Sequence, residues 1–293
     1  MDGAERGTRT RARAWPSKSD VLEMVLLVGL LPPAWLLPER GWAVLAGLLG
    51  RLWIVVRGDR MRQARGAMAQ GLSALGLDVP SKALQRRLVA ATFERYFQLL
   101  REHAPWGWRP DIRVDGLDRL HDALSLGKGV ILYVYPTAFY TIVGKKALAA
   151  TGVRVVHLSR PGHGLSGTPF GIRYLNPLLT RIEDRYVGQR LVLDESAAGR
   201  GLRPLLKALA QNRVTTITAN AEGRTHGVAF LGGTLRLARG AASISLSSGA
   251  TLVPMMVSRE AHGRYLVSIE APLNRRADRR SGPGRKPNPR TLC

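Results

Sequence analysis

The sequence predicts an α/β protein: a mostly parallel central sheet flanked by helices, with an N-terminal membrane-associating helical segment. Three observations carry this. From residue 129 onward, strand-like apolar runs alternate with helix-length runs, the pattern of a sheet with helices on its faces. Hydrophobic residues fill 45% of the 293 positions, enough for a packed core. Two long apolar runs stand near the N-terminus, behind a cluster of arginines.

In chain order, residues 1–20 carry Arg6, Arg9, Arg11, Arg13 and Lys18 with little apolar content, and read as a disordered basic arm. Residues 21–58 form the apolar segment. Its first run, Val21 to Leu37, holds Glu23 and the pair Pro32-Pro33, which is expected to end it early. Its second run, Gly41 to Val56, is broken by Arg51. Neither reaches the ~18 charge-free residues of a spanning helix. An interfacial or embedded anchor with its arginines on the cytoplasmic side fits this pattern, and a pair of buried core helices is the alternative.

Residues 59–272 make up the α/β domain. Leu84, Leu88, Phe93, Phe97 and Leu100 recur at helical spacing, after a start signal at Pro80-Ser81 with Ser81 as a candidate N-cap. Strands are expected at 129–135, 153–158, 214–219, 228–231, 252–257 and 265–269. Helices are expected at 142–150, 202–212 and 235–247. Residues 273–293 are rich in Arg, Pro and Gly and read as a basic low-complexity tail.

The formal net charge of +23, from 44 basic and 21 acidic residues, favours polyanions: anionic lipid surfaces, phosphorylated glycolipids or nucleic acid. Aromatic residues are only 6% and no stacking platform stands out, so membrane attraction accounts for the arginines better than nucleic acid does. The single cysteine, Cys293, excludes an internal disulfide, and the six histidines show no paired metal-ligand spacing. Gly162-His163-Gly164-Leu165-Ser166-Gly167, with Glu183 and Asp184 further on, matches a dinucleotide-binding spacing. Pro161 and Pro169 bracket these glycines, which favours a flexible loop instead.

The stretch Gly129-Val-Ile-Leu-Tyr-Val-Tyr-Pro-Thr-Ala-Phe-Tyr-Thr141 runs an apolar strand straight into a turn. After it come Val155-Val156-His157-Leu158-Ser159-Arg160-Pro161, Glu222-Gly223-Arg224-Thr225, Val228-Ala229-Phe230-Leu231-Gly232 and Ser248-Gly249-Ala250-Thr251-Leu252-Val253-Pro254. In order and spacing these resemble the motifs of the bacterial lipid A biosynthesis (lauroyl/myristoyl) acyltransferases, within the glycerolipid acyltransferase superfamily. The resemblance implies O-acyl transfer from an acyl thioester, on acyl-carrier protein or coenzyme A, to a phosphorylated glycolipid or lysophospholipid. It implies no bound cofactor, no metal, and a place on the cytoplasmic face of the bacterial inner membrane.

That chemistry needs a base for the acceptor hydroxyl, and the family supplies a histidine with a carboxylate five positions on. Here those positions are Pro136 and Thr141. A relocated base would come from His157, His163 or His226; Glu222 and His226 lie four apart in one loop. Tyr135, Arg160, Glu222 and Arg224 are the candidate substrate-binding residues, the arginines through charge-assisted hydrogen bonds to phosphate. A catalytically inactive relative that binds lipid or a partner enzyme is the first alternative, and a basic nucleic-acid-binding protein the second.

Overall fold

The computed structural model describes residues 15–193, 200–220 and 225–273. A seven-stranded sheet forms its centre. The strands are β1 (Asp111–Asp115), β2 (Val130–Val134), β3 (Val156–Ser159), β4 (Gln189–Val192), β5 (Val214–Thr218), β8 (Thr251–Ala261) and β9 (Arg264–Ile269). Their order is β1-β9-β8-β2-β5-β3-β4. Only β8 and β9 pair antiparallel. Strand β2 lies in the middle with Val130, Ile131, Leu132 and Val134 buried, as expected of a parallel strand covered on both faces. Strands β6 (Thr225–Phe230) and β7 (Gly233–Ala238) make a separate antiparallel hairpin.

The N-terminal layer is helical: α1 (Lys18–Leu36), α2 (Glu39–Val56), α3 (Gly58–Ala74) and α4 (Ser81–Glu102). Helices α1 and α2 each turn one side onto α4. Ala34, Ala46 and Phe97 are fully buried there, and Trp42 stacks on Phe97 with ring centroids 5.8 Å apart. Trp35 Nε1 donates to the Leu100 carbonyl at 2.9 Å, and Trp108 Nε1 to Glu39 at 2.7 Å. The other side is open: Leu22, Val25, Val28, Val44, Leu48, Leu52 and Val55 are exposed. Helix α1 is long and apolar enough to cross a membrane. The N-terminal segment is thus a pair of half-packed helices with an unpartnered apolar side.

The remaining helices flank the sheet: α5 (Leu117–Ser125), α6 (Lys145–Ala150), α7 (Pro169–Tyr174), α8 (Asn176–Asp184), α9 (Arg203–Ala210) and α10 (Gly240–Ser248). Two buried clusters fill the space between helices and sheet. The larger joins the N-terminal helices to the sheet, and the smaller lies around Ile131, Leu205 and Ile244.

Several expectations are corrected. The Pro32-Pro33 pair does not end the first helix, which continues to Leu36. Leu27, Leu30 and Ala34 are buried on that helix, so packing outweighs the two lost backbone hydrogen bonds in its final turns. Helix α1 also starts at Lys18, inside the expected arm, where Ser17 and Asp20 form a capping box. Ser81 is the first helical residue of α4, not its cap; Pro80 precedes it and supplies no side-chain bond. The helix expected over 235–247 begins only at Gly240, because residues 233–238 pair with β6. Strands β1 and β4 were not anticipated. They are the two edges of the sheet, short and polar, where the apolar signal is weakest. Residues 169–184 also hold two unanticipated helices, α7 and α8.

Candidate functional site

Ligands of open α/β sheets bind beyond the carboxyl ends of the strands. A cavity of about 700 Å³ lies there, reached by the residues that follow β2 and by the ends of β3 and β5. Pro136 and Thr141 line it, together with Arg160, His163 and Glu183.

His163 stands in the glycine-rich loop that leaves β3, and this loop is tied down rather than free. Asn176 Oδ1 accepts from the backbone N–H groups of Leu165 and Ser166, both at 2.8 Å, and its Nδ2 donates to the Ser166 carbonyl at 2.9 Å. Gly164 has φ +149, and a Cβ there would meet Asn176 Cγ at 2.3 Å, so the loop closes onto Asn176 only with glycine. From the other side, Ser166 Oγ and Thr168 Oγ1 donate to the Asp20 carboxylate at 2.6 and 2.8 Å, joining the loop to α1.

Glu183 lies one turn beyond Leu179 on the buried side of α8 and is fully buried. His163 Nε2 lies 2.9 Å from its Oε2 and 3.1 Å from its Oε1. Arg190 Nη2 donates to Oε2 at 2.9 Å, and the buried Lys145 ammonium to Oε1. Burial pushes the Glu183 carboxyl up, but Lys145 and then His163 overcome this and hold it well below the usual carboxylate range. A permanent carboxylate facing an imidazole fixes the ring's tautomer: the nitrogen toward Glu183 carries the proton, and the other is left to accept one.

His157 lies beside His163, ring centroids 6.1 Å apart, with its Nδ1 2.9 Å from Thr216 Oγ1. Burial, reinforced by Lys145, lowers its pKa well below the ordinary value, so it stays neutral. His157, His163 and Glu183 offer three ligand atoms within 4.8 Å of one another, a grouping that sequence spacing hid. The Glu183 carboxylate already carries Lys145 and Arg190, so a divalent ion entering there would face two fixed cations.

A second cavity, about 340 Å³, shares Leu158, Leu193, Ile217, Thr218 and Asn220 with the first. Its walls continue over Tyr133, Leu202, Ala241 and Ile244 and are mainly apolar. The chamber holding the histidine–carboxylate pair, of mixed lining, therefore adjoins one that is almost wholly apolar.

The expected site residues divide as follows. Pro136, Thr141, Arg160, His157 and His163 line the first cavity. Tyr135 does not: its side chain is about half exposed, while its backbone N–H bonds the Met255 carbonyl at 2.9 Å. His226 sits on the hairpin strand β6 and lines neither cavity. Glu222 and Arg224 lie outside the described residues. Sequence reasoning missed Lys145, Arg190 and the partnership of Glu183. The available signal was a carboxylate on the apolar side of an amphipathic helix, four residues after Leu179.

Comparison of the whole sequence with curated proteins finds no match. The family profile described as Bacterial lipid A biosynthesis acyltransferase matches residues 22–279, which take in nearly all the described residues and both cavities. The chain therefore belongs to the bacterial lipid A biosynthesis acyltransferase family.

Proposed function

We propose that this protein transfers a fatty acyl chain from an acyl thioester to a lipid hydroxyl, with His163 as the base and Glu183 as its orienting carboxylate. The supporting observation is the 2.9 Å contact between His163 Nε2 and Glu183 Oε2 in the cavity that Pro136 and Thr141 line. The acceptor hydroxyl gives its proton to the free imidazole nitrogen, and its oxygen attacks the thioester carbonyl. The tetrahedral intermediate then expels the thiolate, which takes the proton back from the imidazolium. Glu183 stabilises the imidazolium in between.

The apolar cavity takes the fatty chain. Arg95 and Arg160 line the cavity that holds His163 and suit the phosphate of a glycolipid or lysophospholipid acceptor. The donor is a thioester of acyl-carrier protein or coenzyme A, which places the protein on the cytoplasmic face of the inner membrane. No metal or bound cofactor enters any step.

The test is thiol release by the purified protein, given acyl-CoA or acyl-carrier protein with each acceptor. His163→Ala should lower turnover roughly 10²–10⁴-fold, and His226→Ala should leave it unchanged. Loss in His226→Ala alone would move the base elsewhere. Pro136 and Thr141 favour a second reading, an inactive relative that binds lipid; vesicle or acceptor binding with no thiol release from any thioester would establish that one.

A further inference from the structure

We propose that the Tyr140 hydroxyl, with the hydroxyl of Thr137 three residues before it, donates hydrogen bonds to the oxyanion formed in this cavity. The inference rests on the acyl-transfer reading and assigns a catalytic residue that the family motif positions do not include.

The observation behind it is a pair of unsatisfied groups. Among the described residues, Tyr140 Oη and Thr137 Oγ1 are buried without any hydrogen-bond partner. Both residues line the cavity that holds His163 and Glu183. Burying a hydroxyl unpaired is costly, and native proteins seldom leave one so unless a ligand completes it. The Thr216 hydroxyl, which meets His157 Nδ1 at 2.9 Å, reaches toward the phenol and opposes the rise in its pKa, but leaves Tyr140 Oη outside hydrogen-bonding geometry.

The tyrosine is also held in place. Residues Tyr140–Gly144 form one π-helical turn, a distortion that recurs at functional sites. A Cβ on Gly144 would meet Tyr140 Cδ2 at 2.6 Å and Met255 Cε at 3.1 Å, so the glycine makes room for the ring. Lys145 Nζ, ion-paired with Glu183, sits 5.6 Å from the ring centroid. Only 5% of the residue is exposed. Burial raises the phenol's pKa far above neutrality, which keeps it a donor at working pH. A fixed neutral donor that lines the same cavity as a histidine base can stabilise a developing negative charge on oxygen.

Tyr140→Phe tests this, because it removes the hydroxyl and keeps the ring. Turnover should fall roughly 10²–10³-fold, with KM within about threefold, and thermal stability should hold or rise because an unpaired group is gone. Thr137→Val should act in the same direction. Unchanged turnover in Tyr140→Phe overturns the proposal. A fall in melting temperature that accompanies the loss also overturns it, since the hydroxyl would then be satisfied within the protein.

Dodecylphosphonate, a stable oxyanion on an alkyl chain, gives a readout without turnover. Its Kd should rise about tenfold or more in Tyr140→Phe; an equal Kd in both proteins refutes the role even if the wild type releases no thiol. Absence of thiol release with the Kd shift present would instead count against the acyl-transfer reading alone.

Discussion

Glu183 Oε2 and His163 Nε2 lie 2.9 Å apart although twenty residues and an intervening helix separate them in the chain. The loop that presents the imidazole is pinned by Asn176, at the start of the same helix that carries Glu183 in its last turn. One short helix therefore positions both members of the pair. The carboxylate is shared among His163, Lys145 and Arg190, which makes it structural and electrostatic at once.

Glu183→Gln should abolish turnover and also destabilise the fold by about 3–5 kcal/mol, because Lys145 is left buried without its counter-charge. Lys145→Met combined with Glu183→Gln should recover most of that stability and none of the turnover. Melting curves and thiol release on the two variants separate the roles. A double variant that transfers acyl chains would show that the carboxylate is needed only for folding.

Stability should fall on acidification, starting with His157. Its folded-state pKa is depressed below 6.5, so the unfolded chain takes up a proton that the folded chain refuses. Stability present above pH 6.5 is therefore lost progressively as the pH falls below it. Glu183, depressed from 4.5, adds a loss of the same sign only below that value. Denaturant titrations of wild type and His157→Gln at pH 7.5, 6 and 5 isolate the first component. Parallel curves for the two proteins across that range would contradict it.

Ile217 lines both cavities and stands at their junction. Ile217→Phe should narrow the passage and shift donor preference toward shorter chains; Ile217→Ala should shift it toward longer ones. Each methylene lost from the apolar chamber is worth about 0.8 kcal/mol, or roughly fourfold in kcat/KM along a series of acyl-CoA lengths. Identical length profiles in all three proteins would remove the second cavity from the reaction.

The exposed apolar side of α1 allows a membrane-binding role to be tested separately from folding. Leu22→Ser, Val25→Ser and Val28→Ser together should reduce sedimentation with phosphatidylglycerol vesicles by tenfold or more, from about 2 kcal/mol lost per large apolar side chain. Melting temperature should barely move, since these positions are exposed. Removing the whole segment is a poorer test, because Ala34, Trp42 and Ala46 are buried against α4. Equal vesicle binding by the triple variant would leave the open side without a role.

The sheet's centre was legible because continuous apolar runs such as Val130–Val134 have no other use in a chain of this composition. Its edges, β1 and β4, were not, because an edge strand needs little apolar content. His163 was legible as a candidate by elimination, but its partner was not: Glu183 reads as one more acid near the end of a helix until the fold buries it. Tyr140 was hidden for the opposite reason, since a tyrosine after a strand looks like core until its hydroxyl is found unpaired.

The sequence by itself determined the layered α/β architecture, the family, and that positions 136 and 141 carry neither an imidazole nor a carboxylate. Those follow from local periodicity and from residue identity, which the linear chain carries in full. Only the tertiary structure decided that His163, Lys145 and Arg190 share the Glu183 carboxylate, and that His163, Lys145 and Glu183 line one cavity. Burial and through-space charge depend on which elements the fold brings within a few ångströms, and sequence separation carries no record of that distance.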